Sequence, residues 1–135
     1  MRVAALLVCF SVAFAPISAR ADDVATARGV IRAQEQAFVH DDAAAAYSYA
    51  APAIREIFPA PDIFMSMVQN GYAPVYRHKS FEFGDSKSVG SWISQRVHIV
   101  DANGEAWEAL YTLEEQPDGS YKITGCSLLK AGQAV

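Results

Sequence analysis

The sequence predicts an α+β domain whose N-terminal helices pack in the concave face of a curved antiparallel sheet. Apolar residues recur at spacings of three and four up to about residue 77, and at every second position from Ser80 onward. Turn signals then divide the second half into strands of about ten residues. Helices and strands are thus segregated along the chain, which is the α+β arrangement.

Asp22 and Asp23 sit where acids favour a helix start, and Val24, Ala27, Ile31, Gln34 and Phe38 share one face of the helix that follows. Arg28, Arg32, Glu35 and Gln36 fall largely on the other face as solvated charge. After His40, Asp41 and Asp42, a short second helix runs through Ala43 to Ala46, Tyr47 and Tyr49. Asp41 or Asp42 N-caps it and Pro52 closes it. One helical turn is expected around Ile54 to Phe58. Pro61 starts a third helix with Ile63, Phe64, Met67 and Val68 on one face, ended by Asn70 and Gly71.

In the strand region Phe81 and Phe83 alternate with Ser80 and Glu82, Gly84 to Lys87 turn the chain, and a long strand follows from about Val89 to Val100. Its inward set is Ile93, Gln95, Val97 and Ile99. Asp101 to Gly104 and Pro117 to Gly119 make the later hairpin turns. Trp107, Ala109, Tyr111 and Leu113 face inward from the third strand, and Tyr121 and Ile123 from the fourth. Strands of about ten residues at ~3.3 Å each must twist and coil, giving a concave face able to hold a pocket. The outer face carries Arg96, His98, Leu110, Thr112, Thr124, Cys126 and Leu128, less charged than a fully solvated face, so a homodimer paired through the sheet is one expectation.

The chain has 135 residues, 52% hydrophobic and 19% charged, with a net charge of −4. That size suits one domain. The acidity excludes nucleic acid and anionic lipid surfaces as electrostatic partners, since both need a basic face. Met1 and Arg2, the apolar run Val3 to Ala15, and the small-x-small pattern Ala19-Arg20-Ala21 read as an export signal over residues 1–21, with one domain over 22–135. Val8 before Cys9 does not suit a lipoprotein signal. Cleavage after Ala21 leaves 114 residues at net −6 and Cys126 as the sole cysteine, with no membrane span. The expected location is periplasmic or extracellular.

Asp42, the run Phe64, Met67, Val68 into Tyr72, Pro74, Val75, Tyr76 and Arg77, then Gln95, Val97, Ile99 and Asp101, and finally Asp118, Gly119, Tyr121, Ile123, Gly125 and Cys126 together resemble the secreted bacterial proteins grouped as domain of unknown function 4864. The resemblance covers nearly the whole chain after residue 21. It implies a cone-shaped α+β fold of the nuclear-transport-factor-2-like or cystatin-like kind, also termed SnoaL-like, and an envelope location. No activity comes with it, because that superfamily holds isomerases, dehydratases and domains that only bind.

Gln95 is the one polar residue on an apolar strand face; it either lines a pocket or bonds a tyrosine hydroxyl or loop carbonyl inside a filled core. Tyr72, Tyr76, Trp107, Tyr111 and Tyr121 can supply the rim, and Arg77, with His78 and Lys79, can hold an anion at its mouth or be a solvated strand entry. Two uses are open for Asp41 and Asp42: helix capping, or, with a tyrosine, the acid/base work of a small isomerase or dehydratase. No acidic residue occupies the inward strand positions. His40, His78 and His98 lack metal-ligand spacing, and no serine elbow, phosphate loop or dinucleotide glycine pattern is present, so no cofactor is expected. The leading expectation is a non-catalytic exported module that binds a small apolar or amphipathic ligand, or a protein partner, through its concave face.

Overall fold

The computed structural model describes residues 18–132, with side chains from residue 21 onward. The expected export signal therefore lies almost wholly outside the described residues. Five helices precede four strands: α1 Ser18–Val39, α2 Ala43–Ser48, α3 Pro52–Ile57, α4 Pro61–Gly71, α5 Ala73–Tyr76, then β1 His78–Val89, β2 Trp92–Asp101, β3 Ala106–Glu115 and β4 Tyr121–Lys130. The strands form an antiparallel meander in the order β1-β2-β3-β4, with the helices packed on one face, as an α+β domain.

α1 begins before Asp22 and buries Ala27, Ile31, Gln34 and Phe38 against the sheet. Asp42 caps α2: its carboxylate accepts from Ala45 N at 3.1 Å, satisfying one of the donors a helix start leaves unpaired. Pro52 and Pro61 sit in the first turns of α3 and α4, where a missing N–H costs nothing. In α4 the buried residues are Phe64, Met65 and Val68; Ile63, expected inside, is 47% exposed, because the helix is rotated so that Met65 takes its place.

Two features of the sheet depart from the expected pattern. Gly84 to Lys87 do not turn the chain: β1 continues through them with a register shift between Phe83 and Ser86, and the turn comes at Gly90 and Ser91, between the paired Val89 and Trp92. Gly90 has φ of 57° at the first central position of this two-residue loop, where a hairpin of this kind favours glycine. In β4 a second bulge leaves Thr124 without a partner, between the pairs Leu113 with Ile123 and Thr112 with Gly125. An inserted residue reverses which side chains face the core. Cys126 therefore pairs with Tyr111 and Leu128 with Ala109, and both pack on the inner side and not on the outer face expected for them.

Candidate functional site

An apolar cavity of about 360 Å³ lies between the helical layer and the β3–β4 side of the sheet. Its walls are Phe38 of α1, Phe64, Met67 and Val68 of α4, Val75 of α5, and Tyr111 and Ile123 of the sheet. Ile54, Phe58, Met67 and Tyr72, all half-buried, border it. The connection after α2 explains why space remains. Ala50 pairs in parallel with Ile123, with Ala51 N donating to Ile123 O at 2.8 Å and Ile123 N to Tyr49 O at 2.9 Å. This covers the edge of β4 only at its first residues. Past the Thr124 bulge, Gly125 and Cys126 face the cavity.

Its polar side chains are few. Gln34 Nε2 donates to Ala46 O at 3.2 Å, and its carbonyl oxygen has no donor among the described residues. Thr124 Oγ1 donates back to Thr112, 3.0 Å from its carbonyl oxygen. Burial raises the pKa of both Tyr111, well above its ordinary range, and Cys126, to about 12, although the neighbouring Tyr111 hydroxyl pulls Cys126 the other way. Both groups are neutral across physiological pH. Glu35 pushes Tyr111 further in the same direction by charge.

The sequence-derived candidates divide. Tyr72 and Tyr111 line the cavity. Gln95, fully buried, lies elsewhere: Arg28 Nε donates to its carbonyl oxygen at 2.9 Å, and its amide donates to Gly84 O at 2.9 Å and Arg96 O at 2.7 Å. It is the pin of the β1 bulge. Trp107 donates its indole N–H to Asp101 at 2.9 Å beside the β2–β3 turn, and that bond holds the Asp101 carboxyl below its usual range. Tyr121 is buried at the start of β4. Tyr76 stacks on Phe38 and donates to Asp41. Arg77 donates to Phe38 O and to Asp41, both at 2.7 Å, closing the end of α1. The basic run at 77–79 is thereby split, since His78 turns inward while Lys79 stays exposed.

Neither Asp41 nor Asp42 lines the cavity. Asp41 is exposed, in the left-handed region at φ 52°, and Tyr76 and Arg77 hold its carboxyl below the ordinary value. The buried carboxylate that sequence reasoning missed is Glu35, 6% exposed and not solvated as its helix position suggested. It bonds Arg32 and, at 2.9 Å, His78 Nε2, while the other ring nitrogen of His78 is buried without a partner among the described residues. Arg32 and Arg28 lie over Phe81 and Phe83, which shield the cluster. His78 was the available signal, a histidine just before an aromatic strand, but pairing it with Glu35 required the packing of α1 on β1. This cluster does not border the cavity. Among the described residues no group of three metal-binding side chains converges.

The family model described as domain of unknown function (DUF4864) matches residues 20–134. The chain belongs to that family. Comparison with curated proteins and with solved structures finds no match. The cavity of this DUF4864 domain therefore has to be read from its own chemistry. That chemistry is apolar burial with a few neutral hydrogen-bonding groups, the usual composition of a small-molecule pocket.

Proposed function

We propose that the protein is an exported, non-catalytic binding module that takes a small apolar or amphipathic molecule into the cavity between α4 and the β3–β4 sheet. The observation that carries this reading is the cavity itself: about 360 Å³ lined by apolar and aromatic walls and bordered by half-buried side chains of α3 and α4. Cores normally close to crystal-like density, so an apolar recess of this size is able to gain dispersion contacts from a guest. The walls offer no carboxylate or imidazole for proton transfer. Support for export is the Arg2, Val3 to Ala15 and Ala19-Arg20-Ala21 pattern.

An apolar fluorescent dye, N-phenylnaphthylamine, should gain emission on mixing with the purified protein and lose it on adding a competing aliphatic ligand. Met67→Trp, which fills the cavity border from a half-buried position, should weaken dye affinity about tenfold while circular dichroism stays unchanged. A dye response equal in wild type and in this variant would place binding elsewhere on the surface.

A further inference from the structure

Building on the binding reading, we infer that the cavity selects a neutral, hydroxyl- or N–H-bearing amphiphile and rejects the matching carboxylate. The carbonyl oxygen of Gln34, a residue 4% exposed, is without a donor among the described residues. Thr124 Oγ1 is already engaged on Thr112, 3.0 Å from its carbonyl oxygen and 2.9 Å from its hydroxyl. The Gln34 oxygen is thus the acceptor this wall leaves open, and an open acceptor calls for a ligand that donates.

Charge argues the same way. No lysine, arginine or histidine borders the cavity, so an ionised headgroup would be buried without a counter-ion. The basic side chains nearest in sequence to the walls are engaged elsewhere: Lys122 on Ser48 O, Arg55 on Ala50 O and Ser48 O, and Arg77 on Asp41 and Phe38 O. The buried Glu35 carboxylate adds negative potential felt at Tyr111. A carboxylate guest therefore meets an unpaired acceptor and no counter-ion, whereas an alcohol meets a partner. Tyr72, half-buried at the border, carries a hydroxyl that can both donate and accept.

The test is competition of decanol, decanoate and decyl methyl ether against the bound dye, on the purified wild-type protein at neutral pH. Decanol should bind at least about tenfold more tightly than decanoate, and about fivefold more tightly than the ether, which cannot donate. Gln34→Leu should abolish the preference for decanol over the ether, read as the ratio of the two affinities. Decanoate displacing the dye as well as decanol would overturn the selectivity and leave the binding reading standing. Dye binding that none of the three probes displaces would overturn both. If Gln34→Leu fails to fold, the three-probe ranking on the wild type decides the matter alone.

Discussion

Cys126 shows how one side chain acquires its character from position. Its thiol is pushed up to about 12 by burial, although the Tyr111 hydroxyl bond pulls the other way. A proton held in the fold above the ordinary value of 9.0 means that the unfolded chain loses it first as the pH rises. Folding stability should thus fall between about pH 9 and about pH 12, and Cys126→Ala should flatten that part of the profile, read from urea midpoints across the range. A steeper profile in the variant would contradict the assignment. At neutral pH, a maleimide should label the native protein slowly and the urea-unfolded protein fast, since the thiolate is the reactive species. Gln34 and Glu35 are adjacent on α1 yet differ in kind: the first leaves an oxygen facing the cavity, the second is consumed by Arg32 and His78.

At the scale of elements, the two bulges matter most. In β1 the bulge turns the Gly84 carbonyl toward Gln95 and Arg28, which both donate to it. An added Cβ at Gly84 would lie 2.6 Å from His98 Nε2, so the exposed His98 ring would have to swing away. Gln95→Leu should cost about 1–3 kcal/mol, measured by urea denaturation, because Arg28 and the bulge carbonyl lose a buried partner together; dye binding should survive, as Gln95 is remote from the cavity. In β4 the Thr124 bulge sends Cys126 and Leu128 inward. The alternation predicted for β2 holds without exception, with Ile93, Gln95, Val97 and Ile99 all buried, because a strand paired on both sides cannot slip register without exposing its whole apolar set. Edge strands β1 and β4 each have a free side, and both carry the irregularities that alternation alone does not reveal.

For the whole molecule, inward movement of Cys126 and Leu128 removes apolar area from the outer sheet face, leaving the Arg96–Glu108 ion pair among exposed groups. The most exposed large apolar side chains sit instead at Val89 and Trp92 around the first hairpin and at Ile57. Among the described residues no helix is long and apolar enough to cross a membrane. Mass spectrometry of protein recovered from the expressing cell should give a chain of residues 22–135, beginning at Asp22; a mass retaining Met1 to Ala21 would count against export.

The order of helices and strands, the cap at Asp42, the helix start at Pro61, and the buried face of the central strands were set by local period and turn chemistry, so the sequence by itself determined the α+β class and most of the core, whereas Pro52, expected to close α2, opens α3 instead. The cavity was not legible there. It depends on where the 49–51 segment docks on β4 and on a bulge that costs one residue of register, both products of long-range packing. The buried Glu35–His78 contact joins positions 43 residues apart and exists only once α1 lies on β1. Periodicity places a side chain on a face of its own element; which partner fills the space opposite, and where none does, is decided by how the elements pack.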